Sequence, residues 1–459
     1  MTFGAPVIKT LSDSLSRFAH RWVPDPLILS ILLTFLTLGV ALLFGSQGPS
    51  ALVVSWGGGS GLWKLLAFSM QMCLILVTGH ALGVSPPVRR LIDRLASLPQ
   101  SARSAVVLTS LISMLAGLVN WGFGLIVGAL LAREVGRSCG ERGLRVHYPL
   151  LGAAGYTGML VWHGGLSGSA PLKVTQLKDL AELSVSGGAI TLDQTLWSGL
   201  NIGVNLTLLI VVPLVLTLMS PSEEDAQGFH ELVEGGVSES TSQTEAETER
   251  PLSPAERLEQ SAWLARALAL LILGYLALFL SEVGVATLDL NTINAGLLAV
   301  GLLAHPHLKA YARAAQEAST NCAGIILQFP LYAGVMGVMA SAGLTGLLSS
   351  WVSSIATAET LSSLVFLSAG LVNLFVPSGG GQWALQGPLI VESAQQLGAP
   401  VGEAVMAFSY GDAWTNMLQP FWALPLLGLT QLKARDIVGY TAALMLIVVP
   451  VFLIAFLIA

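Results

Sequence analysis

Three ionisable side chains sit inside long apolar stretches of this 459-residue sequence: His80, His163 and Asp412. Lys64, Glu392 and Glu403 lie where such stretches end. A titratable group among apolar neighbours is costly unless it pairs, binds an ion or moves a proton, so each is a functional candidate. Asp412 offers the anionic oxygens that Na+ needs, and it can equally carry a proton. The plain alternative puts its carboxylate at a water boundary. His163 is a candidate to take up or release a proton. The commoner use of such a histidine is donation to a nearby carbonyl, and His80 has the same alternative.

Four stretches rich in Gly, Ser, Asn and Pro interrupt the apolar runs. They are Asn120-Trp121-Gly122-Phe123-Gly124, Gly164 to Pro171, Pro377-Ser378-Gly379-Gly380-Gly381, and Asn416 to Pro425. None contains Lys or Arg, and Lys173 stands at the edge of the second. Ala-Gly-Leu-Val-Asn occurs twice, at 116–120 and 369–373, so Asn120 and Asn373 hold matching positions. Their amides can shape a cation or anion site, or they can cap backbone groups freed where helices break.

Hydrophobic residues make up 53% of the chain and charged residues 10%. Apolar runs long enough to cross a hydrocarbon core of about 30 Å recur from Leu27 onward, which predicts one all-α polytopic membrane domain and no soluble enzyme domain. The net charge of −6 says little about partners, because acidic residues concentrate between Glu223 and Glu259. Nucleic-acid binding leaves no footprint. Cys73 and Cys322 fall in apolar runs and Cys139 in a basic loop, which offers neither a spaced metal site nor a disulfide framework. Lys9, Arg17 and Arg21 precede an apolar run with no cleavage pattern, so a retained first helix is expected.

Loop charge supplies the topology. Short loops rich in Lys and Arg stay cytoplasmic. The basic loops are the N-terminus, Arg89 to Arg103, Arg133 to Arg145, Lys309 with Arg313, and Lys433 with Arg435. Loops near 45–61, 284–289, 343–360 and 397–400 have neither residue. The segment 104–132 therefore starts and ends on the cytoplasmic side. As one helix its 29 residues would reach about 44 Å, so it is expected to enter and return at Asn120, on two arms too short to span. Segment 361–396 has the same character from the outside. Each hairpin precedes an interrupted helix, 148–172 and 401–432. The expected plan is a first repeat over 1–220, a solvated acidic cytoplasmic linker over 221–260 and a second, oppositely oriented repeat over 261–459. That makes about nine spans plus two re-entrant hairpins, with the N-terminus cytoplasmic. Half-helix ends and unwound backbone then form a transport site near the midplane.

The chain also resembles the bacterial short-chain fatty acid transporters of the AtoE type. The likeness is carried by Arg21-Trp22-Val23-Pro24-Asp25-Pro26, Met70-Gln71-Met72, Val77-Thr78-Gly79-His80-Ala81, Val119-Asn120-Trp121-Gly122-Phe123-Gly124, Phe375-Val376-Pro377-Ser378-Gly379-Gly380-Gly381 and Gln419-Pro420-Phe421-Trp422-Ala423-Leu424-Pro425. It implies uptake of butyrate or acetoacetate through the inner membrane, kinship to the wider ion-transporter group, elevator motion and a homodimer in membrane lipid. His163, Gln382 and Asp412 depart from the family pattern, where glycine, histidine and glutamate are usual.

A short carboxylate must exchange its hydration for protein donors. With no cation in the turns, these are backbone N–H groups at helix N-termini, helped by Asn120, Ser167, Ser169, Ser378 and Asn416. Glycine lets backbone approach the ligand. The expected substrate contacts are Asn120, Trp121, Gly122, Ser167, Gly168, Ser169, Ser378, Gly379, Gly380, Gly381, Asn416 and Gln419. Asn120, Asn373, Asp412 and His163 are candidates for a coupling ion, Na+ or H+, and no other cofactor is expected. Trp121, Phe123, Trp162, Trp414 or Phe421 would wall the hydrocarbon tail. Small residues at any one position can instead serve close helix packing, as expected for Gly124 and Gly128, and most tryptophans serve the core or an interfacial belt. Two other readings stay open: a dicarboxylate carrier or Na+/H+ exchanger on the same scaffold, and a membrane hydrolase using Ser167 with His163. Gly165-Leu166-Ser167-Gly168-Ser169 misses the G-x-S-x-G elbow at its last position, and no acid is evident to orient the histidine.

Overall fold

The structure is a computed structural model describing residues 4–22, 24–175, 190–233, 253–283, 290–377 and 379–459. Every regular element among the described residues is helical. The first is α1, Gly4–Trp22, which lies along the C-terminal helix. Asp25 caps α2, Pro26–Phe44, by accepting from the Leu27 N–H at 2.9 Å, and Pro26 supplies the preset first turn. Helices α3, Pro49–Gly57, α4, Leu66–Gly83, and α5, Pro86–Ser97, lead to the first hairpin.

Its arms are α6, Ala102–Val119, and α7, Trp121–Glu141, joined by the single residue Asn120. The arms exceed the expected length. At 1.5 Å per residue the 18 residues of α6 reach about 27 Å, equal to the shortest of the other span-sized helices. Two things extend the hairpin beyond its apolar run. Ser101 and Ser104 form a capping box at the start. At the far end Arg137 bridges Asp93, Glu134 and Glu141 at 3.1, 2.7 and 2.6 Å, so α7 continues through charged residues.

The next stretch is broken: α8, Tyr148–Tyr156, α9, Gly158–Val161, a tight turn at Trp162–Gly164, and α10, Ser169–Lys173. Helix α11, Gly199–Leu218, follows. The segment 221–260 differs from a wholly solvated linker. Within it α12, Phe229–Val233, buries Phe229 and Val233 against α7, and the Tyr148 N–H donates to the Gln227 carbonyl at 2.8 Å. A second short helix, α13, Pro254–Glu259, has a Ser253–Glu256 capping box. These apolar and capping residues are what the composition concealed. Residues 234–252 of that linker lie outside the described residues.

The second half comprises α14, Ala262–Val283, α15, Leu290–Ala304, α16, Leu308–Ser319, α17, Ala323–Ser341, α18, Leu344–Ile355, the hairpin arms α19, Leu361–Asn373, and α20, Gly379–Leu397, the broken pair α21, Val401–Thr415, and α22, Pro420–Thr430, and α23, Ala434–Ile458. Among the described residues seven helices are long and apolar enough to cross a membrane: α2, α4, α6, α11, α14, α17 and α23. Shorter apolar helices lie in α15, α19 and α22. Leu270, Leu271, Tyr275 and Leu278 of α14 are exposed, as a lipid-facing surface requires.

Each hairpin packs on its own broken helix: α6 and α7 on α8, and α19 and α20 on α21. Small residues make this possible. A Cβ on Gly128 would lie 1.9 Å from the Gly155 carbonyl oxygen, and one on Gly124 would lie 2.5 Å from Gly117 backbone. Those two glycines are packing residues. The two halves also meet, with α22 on α7 and α10 against both α20 and α21.

Candidate functional site

The first hairpin tip is closed by its own side chains. Asn120 is buried, and its Oδ1 accepts from the N–H groups of Gly122 and Phe123 at 2.8 and 3.2 Å. Ser167 Oγ accepts from the Trp121 N–H at 3.0 Å, and the Gly124 N–H donates to the Asn120 carbonyl. The Asn120 N–H donates to the Ala116 carbonyl, so the four N–H groups that α7 leaves without an intrahelical partner, those of Asn120 to Phe123, are all satisfied within the protein. Asn120, Trp121, Gly122 and Ser167 come together as expected, but as a cap rather than as an open anion cradle. Gly165 lets the turn of 164–168 press onto the hairpin, since a Cβ there would lie 2.1 Å from the Leu118 carbonyl oxygen, and Gly168 lets the turn close on itself, since a Cβ there would lie 2.3 Å from the His163 carbonyl oxygen.

The second tip is different. Gly379 opens α20 directly against the turn of the first broken helix, where a Cβ would lie 2.5 Å from His163 Nε2 and 3.0 Å from the edge of the Trp162 ring. One residue on, a Cβ on Gly380 would lie 3.7 Å from Lys173 Cε and Nζ and 4.0 Å from Ser169 Oγ. Gly380, Gly381, Ser169 and Lys173 are all half-buried, so this corner is reachable from outside. Ser378 lies outside the described residues.

Behind Gly379, His163 Nε2 stands 3.1 Å from Asp412 Oδ1, and both side chains are 0% exposed. The distance suits a hydrogen bond but the angle does not, so both imidazole nitrogens and both carboxylate oxygens lack a well-formed partner. The expected water-boundary alternative for Asp412 is therefore overturned by its burial, and His163 faces a carboxylate rather than a carbonyl. Asn373 Nδ2 reaches the Asp412 carbonyl, Thr415 Oγ1 and Asn416 Oδ1 at 2.9, 3.0 and 2.8 Å. Asn373 Oδ1 and Asn416 Nδ2 are left unpaired in this buried network. Gln419 is spent on backbone: its Nε2 donates to the Asn373 and Leu374 carbonyls, and its Oε1 accepts from the Phe421 N–H.

An aromatic wall completes the site. Trp121 and Trp422 meet edge to face at 5.0 Å, Trp162 lies 6.2 Å from Trp121, and Phe421 stacks on Phe329 at 4.0 Å. Phe123 is 38% exposed and Trp414 donates its indole N–H to the Met445 carbonyl, so neither joins it. Trp422 and Lys173 were not singled out as contacts. Trp422 sits in the quoted Gln419 to Pro425 string, and Lys173 carries the nearest positive charge to any of the turns.

A sequence profile of the short chain fatty acid transporter family matches residues 7–459. The chain belongs to the short chain fatty acid transporter family. An Escherichia coli K12 relative is 42% identical over 434 residues, covering 95% of this chain and 96% of the relative. A Haemophilus influenzae relative is 37% identical over 453 residues, covering 98% and 99%. Both carry the name short-chain fatty acid transporter in provisional form. Two solved structures overlap broadly: the YdaH transporter of Alcanivorax borkumensis, with a TM-score of 0.43, 16% identity and 95% and 97% coverage, and MtrF of Neisseria gonorrhoeae, with 0.40, 15%, 98% and 96%. Likenesses of that size carry no argument.

The family is one of transporters, not enzymes. The geometry agrees with that on one point and corrects the sequence reading on another. An acid, Asp412, does stand beside His163. Ser167, however, has its hydroxyl on the Trp121 N–H and no hydrogen bond to the histidine among the described residues, so no nucleophile is activated.

Proposed function

We propose that this transporter takes up short-chain fatty acids of the butyrate and acetoacetate class by proton symport across the bacterial inner membrane, with its N-terminus cytoplasmic. The single observation that carries the coupling is the sealed His163–Asp412 pair behind Gly379. Adding a proton to the pair makes its charge more positive by one, beside a turn where the cargo brings a negative charge. Proton and carboxylate therefore favour each other's binding, which is the linkage a symporter needs. Among the described residues, the ionisable groups placed at that turn are His163, Asp412 and Lys173.

Both hairpin tips and both broken helices pack as one body, which supports an elevator motion carrying the site across. Such a motion needs a stationary frame, and a homodimer would supply it. A second reading, Na+ coupling, draws on Asp412 Oδ1 and Oδ2 and Asn373 Oδ1, oxygens without partners. Uptake of labelled butyrate into proteoliposomes, with pH and Na+ gradients imposed separately, tests both. Accumulation driven by the pH gradient alone is expected. Drive by Na+ alone would replace the proton with the ion, and no uptake above protein-free vesicles would defeat the carrier reading.

A further inference from the structure

We infer that Lys173 receives the substrate carboxylate, at a subsite it forms with the first turn of α20; this rests on the carrier reading above. In sequence Lys173 stands two residues past the first helix break. The fold carries it to the opposite hairpin, where the Gly380 Cβ direction points at its Cε and Nζ, 3.7 Å away.

Three further observations converge on that turn. Helix α20 is 19 residues long and begins Gly379-Gly380-Gly381, so its first turn, at the partial positive end of the helix, carries no side chains of its own. His163, fully buried and without a well-formed hydrogen bond, holds Nε2 between Asp412 Oδ1, 3.1 Å away, and Gly379. Lys173 itself makes no ion pair or side-chain hydrogen bond among the described residues. A half-buried ammonium without a counter-anion is costly, and a carboxylate arriving between Lys173 and the glycine turn relieves that cost. Ser169 Oγ adds a hydroxyl donor, and the edge of the Trp162 ring beside Gly379 is apolar, as a short acyl tail needs.

The first hairpin supplies the contrast that locates the subsite. Its helix start is capped by Asn120 and Ser167, and its turn, Asn120 to Gly124, carries no Lys or Arg. Lys173 is a point charge rather than a fork, which suits a single carboxylate that must later leave.

Equilibrium binding to the purified full chain tests this, using butyrate and its uncharged isostere butyramide, with elution profile and melting temperature as folding controls. Lys173→Gln is expected to weaken butyrate binding about tenfold or more and to erase the preference for butyrate over butyramide. Lys173→Arg keeps the charge and is expected to retain most of that preference. Gly380→Asp sets a carboxylate beside Nζ and is expected to abolish butyrate binding, and it carries the test if Lys173→Gln does not fold. Wild-type affinity and preference in Lys173→Gln would overturn the inference, as would equal losses in the Gln and Arg variants or wild-type binding by Gly380→Asp. Wild-type protein that binds no short carboxylate defeats the carrier reading and the subsite together, a result seen before any variant is compared.

Discussion

The two hairpin tips are built from similar residues and differ in the side chains that meet them. At the first, Asn120 and Ser167 satisfy the start of α7 completely, and glycines serve to bring backbones together. At the second, α20 starts on glycines, and the side chains beside it are His163, which stands 3.1 Å from Asp412 without a well-formed hydrogen bond, and Lys173, which makes no ion pair among the described residues. A polar group that is buried and unpaired costs stability, so a protein keeps several in one place when something else binds there. In the proposed reading the first tip is architecture and the second is the working end.

The largest expected effect follows from adding one methyl group at the open tip. Gly379→Ala forces His163 away, because the new Cβ would lie 2.5 Å from Nε2. Uptake of labelled butyrate should fall by at least about tenfold while the protein still elutes as a single species. Undiminished uptake would mean the second tip is as architectural as the first. Asp412→Asn should come next. It removes the buried negative charge of the pair, so pH-driven accumulation should be lost while butyrate exchange down its own gradient persists. Accumulation that still follows the pH gradient would place the coupling proton elsewhere.

The asymmetry between the tips was only half legible in the sequence. The apolar runs, the breaks and the repeated Ala-Gly-Leu-Val-Asn locate both hairpins, because apolar length and helix-breaking residues act locally. They do not say which tip is closed. That depends on Ser167 reaching Trp121 from 46 residues away, and on Asp412 meeting His163 across the two halves of the chain. Asn120 and Asn373 show the limit well. They occupy matching positions, yet one caps a helix start through Oδ1 while the other donates through Nδ2 and leaves its oxygen unpaired. Lys173 was visible as a nearby charge, but its destination at the opposite hairpin is a property of the tertiary fold. The buried residues of 221–260 escaped notice because two apolar side chains hardly alter the composition of a 40-residue acidic stretch.

A smaller effect separates the tips from the other side. Asn120→Ala removes an N-cap, which typically costs about 1–2 kcal/mol and should lower the melting temperature measurably. The Michaelis constant for butyrate should stay within about twofold, since the cap does not touch cargo in this reading. A tenfold rise with unchanged stability would break the comparison and make the first tip a binding element.

The smallest effect lies at the root of the first hairpin, outside the membrane-spanning segments. His147 Nδ1 accepts from the Gln227 N–H at 3.1 Å, and Nε2 lies 2.8 Å from Tyr440 Oη, so the neutral ring with its proton on Nε2 ties the 227–233 segment to α23. Burial first, and then the charge of His20, hold the His147 pKa down at about 4, below the ordinary histidine value of 6.5. Folding therefore favours the neutral ring, because the unfolded chain binds the proton more readily. The stabilisation is fully present above about pH 6.5 and is lost as pH falls toward 4, where a proton on Nδ1 also removes the acceptor for Gln227. Melting temperature should decline across that window in the wild-type chain, and His147→Gln should flatten this part of the decline. Uptake assayed at neutral pH should be the same in both, because the second tip does not depend on this bond. A flat wild-type profile would mean that His147 stays neutral or charged alike in the folded and unfolded chain.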